Sequence, residues 1–204
     1  MIKKIHNFKF VIRNCQKGMT YVELIVVLSI FAVMSSIVLF NHGKFQAKVD
    51  IKNLANDIAL KIVQAQKDAM SGKIQTTRFE IAPAYGVYFN PTENKSFIYF
   101  ADFSNDHIFN DGSCYGECLD NIEITKGKIS KIEECSTSTE DCLSPVSTPN
   151  PLSITFTRPN SGAVFYDSGG ELTGFDYIQI TVSSSDGSFN GYIRVYPSGR
   201  IQVN

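Results

Sequence analysis

Glu23 is the first residue of this chain that poses a chemical question. It stands at the edge of "YVELIVVLSIFAVMSSIVLF", residues 21 to 40, and from Leu24 to Phe40 the run holds no charge, glycine or proline. A carboxylate costs about 2.5–3.5 kcal/mol at the centre of a membrane helix and less near its end, so its presence asks for a cation to meet. A second group is the cysteines: Cys114, Cys118, Cys135 and Cys142 fall close together, while Cys15 lies apart near the start. A third is "ADFSNDHIFNDG", where Asp102, Asn105, Asp106, Asn110 and Asp111 offer oxygen atoms of the kind calcium takes. Their order is not that of an EF-hand, and the plainer reading is an Asx-rich loop whose side chains bond their own backbone. Of the three histidines, His6, His42 and His107, only the last stands clear of the basic start and the apolar run. No G-x-S-x-G elbow or phosphate loop accompanies it. The chain is therefore not read as an enzyme, and no catalytic residue or cofactor is assigned.

The elements that must position these groups follow from hydrophobic pattern. As a helix the uncharged run rises about 26 Å, close to the thickness of a bilayer's hydrocarbon. Lys3, Lys4, Lys9, Arg13 and Lys17 are the only charges before Gly18, which predicts that this end stays in the cytoplasm and the rest lies outside. A cleaved secretory signal would have a shorter apolar region followed by small residues at its cleavage site. A plain signal anchor fits length and charge but leaves Glu23 unexplained. A buried core helix would need protein on every side.

From Asn41 to Ser71 the pattern becomes amphipathic. Ile51, Leu54, Ala55, Ile58, Ile62, Ala65 and Ala69 recur at steps of three and four, with charges mostly between them. Gly72 is a helix stop, so one helix is expected from about Met19 to Ser71, with Gly43 either a bend or a tolerated surface glycine. Beyond it, "IQTTRFEI", "AYGVYF", "SFIYFA", "LSITFT", "GAVFY", "DYIQITVSS", "GYIRVY" and "RIQV" are short β-branched and aromatic runs divided by turn residues. In "DYIQITV", Ile178, Ile180 and Val182 share one face, as a sheet half-buried on the helix requires. "STSTEDCLSPVSTPNP", residues 136 to 151, reads as an exposed loop. The expected fold class is α+β, a long N-terminal helix packed against antiparallel sheet.

Gly18, Met19, Glu23 five residues into the new chain, and the apolar run after it together resemble the class III signal of type IV prepilins and pseudopilins. The resemblance implies a pilin-like fold and four parts: a leader of residues 1–18 cleaved by prepilin peptidase, a membrane or filament-core half-helix at 19–40, an amphipathic half at 41–71 and a β-rich head at 72–204. It implies cleavage between Gly18 and Met19, N-methylation of Met19, and a role for Glu23 in assembly, where its carboxylate meets the α-amine of a neighbouring subunit. That amine has an ordinary pKa of about 7.7–8.0, and a carboxylate facing a cation is tolerable where a lone one is not. The family usually has Phe in place of Met19 and often a shorter leader. Cleavage takes five of the 19 basic residues, leaving 14 against 20 acids, a net charge of about −6.

Later segments, "DIALKIVQAQKDAMSGKIQTTRFEI", "SITFTRPNSGAVF" and "YIRVYPSGRIQV", are similar to the GspH/FimT-like group of minor pseudopilins and minor pilins, with Phe156, Gly162, Gly199 and Arg200 matching its features. The function implied is that of a minor pilin or pseudopilin, a structural subunit that joins or primes a pilus or pseudopilus for secretion, adhesion or DNA uptake. Its partners would be other pilins, prepilin peptidase, an inner-membrane assembly platform and, before assembly, membrane lipid. It would sit in the cytoplasmic membrane with its head outside, then in a filament. The alternative is a DNA- or surface-binding minor pilin of a competence pilus. Arg194 and Arg200 are the only cations from Phe175 onward, few for phosphate contacts, which need clustered bases. On the exported side the four cysteines favour two disulfides. Three pairings are open, with the local ones, Cys114 with Cys118 and Cys135 with Cys142, slightly preferred. Zinc is the rival, at spacings unlike the usual CxxC pairs.

Overall fold

A computed structural model of the chain describes residues 18–73, 82–110, 116–136, 142–145 and 151–204. Among these described residues one helix, α1, runs Tyr21–Ser71, and eleven strands follow: β1 Ala84–Phe89, β2 Ser96–Asp102, β3 Cys118–Glu123, β4 Lys128–Cys135, β5 Cys142–Pro145, β6 Leu152–Thr157, β7 Asn160–Asp167, β8 Gly170–Glu171, β9 Tyr177–Ser183, β10 Asn190–Val195 and β11 Ile201–Val203. The fold is α+β, as expected. Contacts divide the chain into two units, Met1–Gly43 and Lys44–Asn204. The expected strand "IQTTRFEI", residues 74–81, lies outside the described residues, as does the leader up to Lys17.

In the second unit the strands form two antiparallel sheets, one in the order β3-β2-β1-β6-β7-β8 and one in the order β11-β10-β9-β4-β5. All seven stripe residues of α1, from Ile51 to Ala69, are buried, and they share one core with the inner faces of both sheets. The first sheet contributes Tyr85, Val87 and Phe89 from β1, opposite Phe156, Ile154 and Leu152 of β6. The second contributes Ile178, Ile180 and Val182, each fully buried. Side chains that alternate on a pleated strand put every second residue on this core, so short Val/Ile/Phe runs suffice.

The helix stops where Gly72 takes a φ of 62°, a conformation that costs other residues more. Its N–H bonds Ala69 O at 3.1 Å and that of Lys73 bonds Asp68 O at 3.2 Å, closing carbonyls that the helix leaves unpaired. Side chains then fasten this end to the first sheet. Tyr99 donates to Asp68 Oδ2 at 2.6 Å, Lys73 Nζ lies 2.9 Å from the same oxygen, and Tyr85 donates to Lys73 O at 2.6 Å. Gly43 lies inside α1.

Candidate functional site

The first candidate is the start of α1, all of it in the first unit. Gly18 and Met19 are exposed, and Thr20 precedes the helix as its cap. The Leu24 N–H bonds Thr20 O at 3.1 Å and the Glu23 N–H reaches Thr20 Oγ1 at 3.4 Å. Thr20 and Glu23 thus stand in the Thr-x-x-Glu spacing of a capping box, with the acid in the first turn where the helix dipole favours it. The sequence reading gave Glu23 an assembly role alone and passed over this local one, although the Thr-x-x-Glu spacing that signals it stands in the chain. Past Glu23, the apolar side chains from Leu24 to Val38 are 45–69% exposed. The helix is long and apolar enough to cross a membrane, and none of its most apolar window is buried by the described residues. An apolar surface that wraps a whole helix is the kind that lipid or other helices cover.

The second candidate is the Asx-rich loop. Asp102, 1% exposed, accepts from the backbone N–H groups of Asn105 at 2.6 Å, Asp106 at 3.4 Å and His107 at 2.9 Å, and from Ser104 Oγ at 3.0 Å. Glu117, 8% exposed, accepts from the N–H groups of Phe103, Ser104 and Asn110 at 3.2 to 3.3 Å. Asp106 accepts from the Ile108 N–H at 3.0 Å and from Asn110 Nδ2 at 2.6 Å. Burial pushes the Asp106 carboxyl up, and bonds from Ile108, Asn110 and Ser104 more than offset it, holding it below the usual carboxylate range. These oxygens are turned on the loop's own donors. Asp111 lies outside the described residues, and no cluster of metal-binding side chains is found among the described ones.

What this loop does is cover the outer face of the first sheet. The Phe109 ring packs against Tyr88 and Phe100, with ring centres 5.0 and 5.5 Å apart, and its N–H reaches Ser153 Oγ at 3.4 Å. His107 stacks on Tyr166 at 5.2 Å with Nδ1 3.0 Å from Thr155 Oγ1. Asn105 and His107 both hold positive φ, 58° and 65°, which the acid-to-amide bonds impose. Glu117 was not singled out in the sequence, because its partners lie 7 to 14 residues back in the connection from β2 to β3 and carry no pattern that marks them.

Cys135 and Cys142 form a disulfide between β4 and β5. This corrects the reading of residues 136 to 151 as loop throughout: Cys142–Pro145 is a strand, held in register against Cys135 and Glu133. Cys118 is also disulfide-bonded, while Cys114 lies outside the described residues.

Arg194 and Arg200 are each laid on a tyrosine, Arg194 over Tyr177 at 5.0 Å and Arg200 over Tyr196 at 3.9 Å, and the two rings are 5.3 Å apart. Arg194 Nε also donates to Gln179 Oε1 at 3.1 Å. The cations are thus packed on the outer face of the second sheet by contacts that a basic tail does not need. Phe156 is core. Gly162 and Gly199 sit where the sheets meet: a Cβ on Gly162 would come 2.8 Å from Pro197 O, and one on Gly199, with φ 81°, would strike Ser161 O. Gln66 of α1 clasps the junction, donating to Ser161 O at 2.8 Å and Gly199 O at 3.1 Å. The structure thus gives the two glycines a packing role.

Comparison with protein-family models, with curated proteins and with solved structures gives no match for this chain.

Proposed function

We propose that this chain is a minor type IV pilin or pseudopilin: a subunit cut between Gly18 and Met19, methylated on Met19, held in the cytoplasmic membrane with its β-rich part outside, and assembled into a filament beside other pilins. The observation that carries the reading is the exposed apolar half of α1, which no described residue covers and which holds its one carboxylate at the first turn. In the filament core the Glu23 carboxylate faces the α-amine of a neighbouring Met19, and membrane lipid is only the holding place before assembly. We assign the chain no catalytic role.

Glu23→Ala and Glu23→Gln separate anchoring from assembly. Both should be processed and remain with membranes, yet enter sheared filaments at a ratio to the membrane pool lower by about tenfold or more, since breaking a buried pair costs a few kcal/mol. Mass spectrometry of the wild type should find a methylated Met19 as first residue. Wild-type incorporation by both variants would leave Glu23 with its capping role alone and return the plain anchor to the lead.

A further inference from the structure

The first charges after the apolar run are Lys44, Lys48, Asp50 and Lys52. The lysines follow one another at steps of four, which lines them along one side of the helix. All three are exposed, and none has an ion-pair partner among the described residues. Asp50, the one acid in this stretch, is turned elsewhere: it accepts from Gln46 Nε2 at 2.9 Å and lies 3.2 Å from Lys126 Nζ. Beside Lys44 stands Phe45, 67% exposed. This basic stretch runs against the charge of about −6 on the processed chain. Bases at the outer end of a membrane run also weaken the bias that orients it, so these lysines carry a cost. Lys44 is four residues from Phe40, and no conformation of the chain carries it more than about 14 Å from the end of the run. Lys48 and Lys52 lie about 6 and 12 Å further along α1. Lipid headgroups extend about 5–8 Å beyond the hydrocarbon, and the field of charged lipids falls off over about 8–10 Å more.

We infer that the segment from Lys44 to Lys52 binds anionic phospholipid headgroups of the outer leaflet, with Phe45 laid into the interface. A lysine ammonium is a compact point charge on a flexible stem, so it pairs with a lipid phosphate without a shaped pocket. The stems and the Phe45 ring supply the apolar part that an interfacial contact takes. Each lysine near an anionic surface contributes about fivefold. Because the field decays with distance, the contribution falls in the order Lys44, Lys48, Lys52. The rest of the chain, net acidic, is repelled by the same surface, so the contact is confined to this end. The inference rests on the membrane-crossing part of the proposed function and not on cleavage, methylation or Glu23.

The chain has no tryptophan, so Phe45→Trp places a single probe at the site. The full chain carrying it is reconstituted in nanodiscs of phosphatidylcholine with a minor share of phosphatidylglycerol. In matched samples one lipid or the other bears a spin label on its acyl chain next to the headgroup. Labelled phosphatidylglycerol should quench the tryptophan at about fivefold lower label density than labelled phosphatidylcholine, and high salt should close the difference. Lys44→Gln should remove most of that preference, Lys48→Gln less and Lys52→Gln least, all on an exposed helix face where folding is not at risk. Equal quenching by the two lipids, quenching by neither, or a preference that survives all three substitutions together would overturn the inference and leave an ordinary solvated helix face. A chain that leaves membranes in an alkaline wash would overturn this inference and the anchor together, whereas equal quenching in a chain that stays would overturn this one alone.

Discussion

Replacing Asp102 should open the loop over the first sheet, and the structure sets the scale of the loss. The carboxylate takes three backbone N–H groups and one hydroxyl at a position 1% exposed. Hydrogen bonds to a charged group contribute about 1.5–3 kcal/mol each in mutational comparisons. They do not sum in Asp102→Ala, because the freed donors reach water once the loop lifts; the loss is then limited to releasing the loop and baring Phe109. We expect about 3 kcal/mol, which for a unit this size lowers the melting temperature by roughly 6–12 °C. Asp102→Asn keeps one oxygen for Asn105, Asp106 and Ser104 but turns an amide NH2 on the His107 N–H, so about half that loss is expected. The assay is denaturation of the full chain in detergent, paired with hydrogen exchange at residues 103 to 110. Those amides should lose protection in both variants while β9 and β10 keep theirs. A loss below about 0.5 kcal/mol with unchanged exchange would refute the reasoning. So would calcium stabilising the wild type and not Asp102→Asn, which would make these oxygens ion ligands rather than caps.

Two further outcomes follow from fastenings elsewhere. Burial pushes the Asp68 carboxyl up, but the bonds from Tyr99 and Lys73 and the charge of Lys73 outweigh it and lower its pKa; a depressed carboxylate contributes stability above the unfolded pKa of about 4 and loses it as pH falls through the folded value. Asp68→Asn should therefore flatten the acid limb of a stability–pH curve, and a limb as steep as wild type would refute the assignment. Reducing Cys135–Cys142, seven residues apart, should cost at most about 2.5 kcal/mol by loop entropy and release β5 before β4, read as faster exchange at 142 to 145 with β4 still protected against β9.

How legible was all this beforehand? The stripe of α1 was complete in the sequence because burial on one side imposes helical spacing, and β1 and β6 were bounded by their own Val, Ile, Tyr and Phe. Strands β3 and β4 escaped. "CLDNIE" alternates weakly and is half exposed, and in "KISKIEEC" a bulge between Ile129 and Lys131 breaks the two-residue period, so that Ile129 and Ile132 fall three apart yet both are buried. Strand β5 carries no pattern of its own and is placed by the disulfide and by Glu133. The site divided in the same way. Thr20 and Glu23 are neighbours along the chain and their capping relation can be read there, whereas Glu117 and Gln66 act on backbone groups that only the folded sheets bring near.

The two halves of α1 expose their apolar residues differently, and the residues mark where the change falls. From Ile51 onward a stripe of its apolar side chains is covered by the sheets; from Leu24 to Val38 they occupy every direction and no described residue covers them. A segment evolved only to anchor would have no need to continue as the central element of a folded unit, because any linker would connect the two. Continuity matters if force or register must pass from the apolar half to the β-rich part. The cost is that the second half cannot be fully sheathed. Leu60, Val63 and Met70 stay exposed on the face away from the core, at the spacing of one helical stripe. Under the proposed function that stripe would add contact area for a subunit lying beside other helices.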